Sequence, residues 1–180
     1  MSITLPVHLG GHCNVTHTDP GALDYLIQRF AVTSMVDVGC GPGGQVALAA
    51  QRGLRALGVD GDFTVARPAG MPILIHDFTT GAPVVPEFDL GWSVEFVEHV
   101  EEAFVDNYFA VFLKCRVVFL THATNLGGHH HVNCQPSSYW IEQFTRRGFL
   151  HDAGETHLVR AHSTMKREFV RNTGLLFYQA

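Results

Sequence analysis

Basic residues are scarce in this chain: Lys and Arg number 12 against 17 Asp and Glu, a formal net charge of −5. Binding to a polyanion draws mainly on neutralised phosphates, so this balance argues against a nucleic-acid partner. No apolar run approaches the roughly 20 residues of a membrane span, and the N-terminus lacks the basic–apolar–small pattern of a secretory signal. No membrane partner is expected. The four cysteines (Cys13, Cys40, Cys115 and Cys134) include no Cys-x-x-Cys pair, so reduced thiols and a cytoplasmic location are the expectation. Internal repeats, linkers and low-complexity stretches are also missing. Charged residues make up only 16% of the 180 positions, against 46% hydrophobic. That is the composition of one globular domain, residues 1–180, with a sizeable core.

Glycine is concentrated in one place. The segment Met35-Val36-Asp37-Val38-Gly39-Cys40-Gly41-Pro42-Gly43-Gly44 is an apolar run that meets an acidic residue and then alternating glycines. Gly39, Gly41 and Gly43 allow a turn at positive φ and let the backbone approach a ligand without a Cβ in the way. Gln45 to Gln51 reads as a short Ala-rich helix whose N-terminus points at that ligand. Asp60 closes a second apolar run 21 residues past Gly39, where a carboxylate can reach two ribose hydroxyls. The unit is a nucleoside-binding strand, loop, helix and strand. A dinucleotide site is its competitor, since Gly39, Gly41 and Gly44 also satisfy Gly-x-Gly-x-x-Gly loosely.

Strands and helices alternate along the rest of the chain. Asp19-Pro20 starts a helix with Leu23, Leu26, Ile27 and Phe30 on one stripe. Strands are expected at 32–38, 54–59, 73–75, 88–92, 116–122, near Phe149 and at 175–178. Helices are expected at 97–113, from Pro136 to Gly148, and over about 155–169. Such alternation means a mostly parallel sheet covered on both faces, with ligands outside the carboxyl ends of its strands.

The string Val36-Asp37-Val38-Gly39-Cys40-Gly41-Pro42-Gly43-Gly44, together with Asp60, Asp77-Phe78 and the block Asp89 to His99, closely resembles the motifs of class I S-adenosylmethionine-dependent methyltransferases of the small-molecule type. The resemblance implies a Rossmann-like α/β fold: seven strands, mostly parallel, the last antiparallel and inserted beside strand five, with helices on both faces. Residues 1–31 would be an N-terminal segment and covering helix, and 32–180 the cofactor-binding core. It implies S-adenosylmethionine as cofactor, held by Asp37, Gly39, Gly41, Gly43, Asp60, Asp77, Phe78 and Ser93. Asp77 would accept from the adenine amino group, Phe78 would lie against the ring, and Ser93 or the neighbouring backbone would line the methionine portion. Enzymes that methylate nucleobase amino groups usually carry Asn- or Asp-Pro-Pro-aromatic after strand four. Gly91-Trp92-Ser93-Val94 stands here instead, which counts against that substrate.

Histidine is plentiful, 12 in all, and uneven: His8, His12 and His17 open the chain, and His122 and His129 to His131 cluster later. These segments are not general family motifs, so they are where acceptor chemistry is sought. A hydroxyl nucleophile usually needs a base, and imidazole titrates near neutrality. His122 closes strand five and is expected to face the cleft. His17 precedes the covering helix, and His130 sits on a glycine-flanked loop. These three are the candidate catalytic residues, and a small molecule is the expected acceptor. For Glu98 and His99 two readings stand side by side, electrostatics at a helix N-terminus and a direct role in the site. No metal ligands are assigned. The segment Thr121-His122-Ala123-Thr124-Asn125 lacks the acid that magnesium requires, and adjacent histidines in an extended loop point to opposite sides. A softer divalent metal at the histidines stays open. Two readings of other classes also stay open: a nicotinamide-dependent oxidoreductase, for which no Tyr-x-x-x-Lys pair is present, and a non-catalytic cofactor-binding subunit.

Overall fold

A computed structural model describes residues 4–179. Helix α1 (Pro20–Phe30) is started by the Asp19 carboxylate, which accepts from Ala22 N, and it ends at Ala31 in the left-handed region. Strand β1 (Ser34–Val38) is buried along its whole length. After it come α2 (Gly44–Gln51), β2 (Arg55–Asp60), β3 (Ile73–Ile75), β4 (Phe88–Ser93), α3 (Val105–Phe112), β5 (Cys115–Leu120), α4 (Ser137–Thr145), β6 (Phe149–His151), α5 (Ala153–His162), α6 (Phe169–Thr173) and β7 (Leu175–Gln179). The sheet order is β3-β2-β1-β4-β5-β7-β6. The pairs β1–β2, β1–β4, β2–β3 and β4–β5 are parallel, and β7 runs antiparallel to both β5 and β6. The chain reverses its direction of winding between β1 and β4, which places a crevice at their carboxyl ends.

Alternate residues of the central strands feed two cores, as the two-residue period of a strand requires. Val118, Leu120, Leu175 and Phe177 pack on one face with Tyr108, Phe112, Trp140 and Phe144. Val117, Phe119 and Leu176 pack on the other with Leu23, Leu26 and Val159. Phe144 of α4 stacks on Phe177 of β7 with centroids 4.0 Å apart, which locks the antiparallel strand under its helix. Gly91 in β4 leaves room for side chains of β5 and α3: a Cβ there would meet Cys115 Sγ at 3.1 Å and Phe112 Cδ1 at 3.3 Å.

Three expectations change. The single helix expected over 97–113 is divided into 3-10 turns at Val97–His99 and Glu102–Phe104, followed by α3. The reason is that the Glu98 carbonyl accepts from Val132 N and Asn133 N, both at 3.0 Å, instead of continuing a helix. The helical stretch expected near 155–169 stops at His162, because Ser163 Oγ and Thr164 N turn aside to donate to the Asp19 carboxylate. Strand β5 ends at Leu120, two residues short of His122. Among the described residues no helix is long and apolar enough to cross a membrane.

Candidate functional site

A cavity of about 880 Å³ opens at the carboxyl ends of β1, β2 and β4. Asp37, Gly39, Gly41, Asp60, Asp77 and Phe78 all lie on its wall, so six of the eight residues that resemblance assigns to the cofactor are brought together. Gly39 and Gly41 have φ of 78° and 50°. Gly41 N donates to Asp60 Oδ2 at 2.8 Å, and Asp60 Oδ1 accepts from Asp62 N at 2.8 Å and from Arg67 Nη2 at 3.2 Å. Arg67 also donates to the Gly41 carbonyl through both Nε and Nη2. One guanidinium therefore ties the glycine turn to the end of β2.

Two assigned residues are placed elsewhere. Gly43 is the N-cap of α2 at φ 86°, and a Cβ on it would fall 2.5 Å from Met71 Sδ and 2.7 Å from Ile73 Cδ1. Packing against the β3 segment alone requires glycine there. Ser93 is fully buried, and its Oγ donates to the Val38 carbonyl at 2.9 Å. It latches β4 to β1, while Val94 and Glu95 take the place on the wall.

Burial pushes the Asp37 carboxyl up to about 8, with the nearby Asp60 carboxylate adding to the shift. Burial also raises Asp77, but hydrogen bonds from Thr79 and His8 outweigh it and hold the group below the ordinary carboxylate value. The His8 contact belongs to a feature the sequence did not reveal. The N-terminal segment lies over the cavity and is tied down at several points. His8 Nε2 meets Asp77 Oδ2 at 2.9 Å, His12 Nε2 meets Asp62 Oδ2 at 3.0 Å, and Gly44 N donates to Thr16 Oγ1 at 3.1 Å. His12 Nδ1 accepts from Asn14 N, so its Nε2 carries the proton given to Asp62. The clustered His8 and His12 around Gly10-Gly11 were the available signal, but their carboxylate partners lie 69 and 50 residues away.

The three catalytic candidates separate. His17 lines the cavity edge-on to Phe169, and His130 lines it with its ring 6.2 Å from that of His8. His122 does not face the cavity. Its side chain is buried beneath α4, where Nε2 meets Ser137 Oγ at 3.0 Å and the ring lies 6.3 Å from Trp140. Burial pushes its pKa down to about 4. Parity explains the difference: Thr121, one residue earlier, points to the cleft side. Its Oγ1 accepts from Glu95 N and donates to Glu95 Oε1, both at 2.8 Å. Glu95 lines the cavity at φ 53°, with its pKa raised by burial.

Beside Glu95 lies a second group. Glu98 is fully buried, and neither carboxylate oxygen has a hydrogen-bond partner among the described residues. Its pKa rises to about 8 through burial, with Glu95 contributing. His99 and His131, both on the cavity wall, meet edge to face at 4.8 Å between centroids. His99 Nδ1 donates to the His129 carbonyl and His131 Nδ1 to the Asn125 carbonyl, each at 2.7 Å. One ligand atom from each of Glu98, His99 and His131 lies within 4.8 Å of the others.

Neither a protein-family model nor a curated protein sequence matches this chain. Solved structures do. The methyltransferase domain of bacterial CtHen1 is 14% identical with a TM-score of 0.61, covering 89% of this chain and 96% of that one. Magnesium protoporphyrin IX methyltransferase from Synechocystis, solved with S-adenosylmethionine bound, is 13% identical with a TM-score of 0.56 over 88% and 78% of the two chains. The O-methyltransferase of a Brevibacillus brevis polyketide synthase, in complex with S-adenosyl-L-homocysteine, is 14% identical with a TM-score of 0.59 over 88% and 71%. These similarities, with the strand order above, establish that the chain has the seven-stranded class I methyltransferase fold.

Proposed function

We propose that this chain is an S-adenosylmethionine-dependent methyltransferase acting on a small polar acceptor through a hydroxyl, with a cavity histidine as general base. The observation that carries the reading is the Gly41–Asp60 contact at 2.8 Å, which sets a glycine turn and a carboxylate side by side on one cavity wall. The donor set fits the group. Asp37, Asp60 and Asp77 are acceptors suited to a cationic centre, ribose hydroxyls and an adenine amino group, and Phe78 offers an apolar surface. Among the described residues Arg167 is the only Lys or Arg on the wall. A dinucleotide pyrophosphate would meet carboxylates there, which favours the sulfonium cofactor over a nicotinamide one. Structures of similar fold were solved with S-adenosylmethionine or S-adenosylhomocysteine bound.

When bound, the cofactor supplies a methyl group on sulfonium, open to in-line displacement. The chain's own residues then have three tasks. Asp60 holds the ribose, Asp77 and Phe78 hold the adenine, and the N-terminal segment screens the cavity from water. His17 and His130 are the bases this reading retains, each able to take the acceptor's hydroxyl proton on a ring nitrogen. A net charge of −5 and a cavity of this size support a small acceptor.

Calorimetry with S-adenosylhomocysteine and with NAD(H) tests the cofactor. Saturable binding of the first is expected, and tight NAD(H) binding with no response to the first would overturn the reading. Methyl transfer to a panel of small hydroxyl compounds tests the reaction. His17→Ala or His130→Ala should lower turnover by about 10²–10⁴-fold with S-adenosylhomocysteine affinity kept. Unchanged rates in both would remove histidine as the base and leave Glu95.

A further inference from the structure

The geometry points to a divalent-cation site built by Glu98, His99 and His131 at the edge of the cavity. The three come from two segments that the backbone joins. Val132 N and Asn133 N donate to the Glu98 carbonyl, so the 129–133 loop is fastened directly to the turn carrying Glu98 and His99. The fastening brings one ligand atom of each side chain within 4.8 Å of the others. Of the three consecutive histidines only His131 takes part. Its neighbours are turned elsewhere: His129 Nε2 donates to the Leu9 carbonyl, and His130 faces His8.

What makes this more than a polar cluster is that it gathers three ligand atoms round a buried carboxyl, whose own proton is the one a cation would displace. Carbonyl oxygens only accept, so the 2.7 Å contacts to the His129 and Asn125 carbonyls require both rings to carry hydrogen on Nδ1. In each neutral ring Nε2 is then a bare lone pair. The third member, the Glu98 carboxyl, is 0% exposed, and among the described residues neither oxygen has a hydrogen-bond partner, though the backbone N–H groups of Glu98 and Ala123 favour its charged form. Gathered within 4.8 Å of one another, such groups cost free energy unless a proton or a cation lies between them. Backbone carbonyls fixing the outer nitrogen of each imidazole are also the usual outer-shell support of metal-bound histidine.

Two imidazoles and one carboxylate suit a borderline first-row cation such as Zn²⁺, Fe²⁺ or Co²⁺, whereas Mg²⁺ prefers an all-oxygen shell. Tetrahedral bonds of about 2.0–2.1 Å put ligands about 3.4 Å apart, which small rotations of three side chains can reach. With three protein ligands the ion keeps a position for a donor from the cavity, which His99 and His131 both line. The site stands whatever nucleoside occupies the cavity.

Co²⁺ and Zn²⁺ titration of the full chain, freed of metal with a chelator, tests the assignment. Expected are one ion per chain, visible d–d absorption with Co²⁺ that Zn²⁺ abolishes, and proton release on binding. His131→Ala, in a half-exposed loop position, should weaken binding at least about 100-fold, as should Glu98→Gln. A His129→Ala, His130→Ala double variant should bind within about threefold of the natural chain. No saturable binding would overturn the site. So would His131→Ala binding as the natural chain does, or the double variant losing the ion, since either result means adventitious capture by the loop histidines. If Glu98→Gln does not fold, His131→Ala decides alone, its integrity checked by thermal melting. S-adenosylhomocysteine calorimetry on the same samples keeps failure of this site distinct from failure of the cofactor reading.

Discussion

Asp60 Oδ2 accepts the backbone N–H of Gly41 at 2.8 Å, so the carboxylate that ends β2 also shapes the turn that ends β1. Asp60→Ala removes the acceptor for Gly41 N, the acceptor for Asp62 N and the charge opposite Arg67 together. S-adenosylhomocysteine affinity should fall by at least tenfold, and thermal stability should drop with it, because a mostly buried guanidinium loses its counter-charge. Calorimetry and a melting curve check both. Unchanged affinity in a folded Asp60→Ala protein would separate Asp60 from the ligand.

Asp37 gives a prediction in protons. Its carboxyl, pushed up to about 8 by burial and by Asp60, is mostly protonated at pH 7 in the free chain. A cationic ligand in the same cavity favours the charged carboxylate, so binding should release up to one proton. Affinity should therefore rise with pH between 6 and 8, by no more than about tenfold per unit. Calorimetry in two buffers of different ionisation enthalpy measures the release. Asp37→Asn should abolish both the release and the pH dependence, and a variant that kept them would place the titration on another group.

The fold was legible because its signals are local and periodic. The glycine turn, the Asp19-Pro20 helix start and the β-branched run of β5 each lie within one short segment. The cavity wall was nearly as legible, since its assigned residues sit at or just beyond the ends of strands. Gly43 and Ser93 lie off the cavity wall, and for Ser93 a strand-end position does not say whether the side chain faces the cavity or the neighbouring strand. His122 failed by one residue of parity after β5 stopped at Leu120. Least legible were long-range pairings. Nothing near Glu98 in sequence shows that its carbonyl is taken by Val132 and Asn133, and that one contact both breaks the expected helix and assembles the histidine cluster.

His122 is a buried neutral imidazole, and its effect should appear in stability against pH. Its folded pKa of about 4, lowered by burial, lies below the ordinary 6.5. Between those values the unfolded chain binds the extra proton, so stability rises with pH across the window and falls on acidification. The loss amounts to about 1.4 kcal/mol per pH unit at most. Denaturant melts from pH 6.5 down to 4 should show a shallower decline in His122→Asn than in the natural chain. Parallel declines would mean that the imidazole titrates normally.

The N-terminal segment yields the last prediction. It is held over the cavity by His8–Asp77 and His12–Asp62, with His129 Nε2 donating to the Leu9 carbonyl between them. His8 and His12 side chains retain 26% and 17% exposure, so water screens the pairs, and each is worth no more than about 1 kcal/mol. Removing both in a His8→Ala, His12→Ala variant should raise the local opening of residues 8–16 by up to roughly 30-fold while the central strands stay protected. Amide hydrogen exchange would report this directly. The same variant should release S-adenosylhomocysteine faster in stopped-flow displacement, because residues 8–13 form part of the cavity wall. Unchanged exchange over 8–16 would mean that Thr16 and the backbone contacts hold the segment without the two imidazoles. Faster exchange with an unchanged release rate would mean that the segment does not gate the cavity.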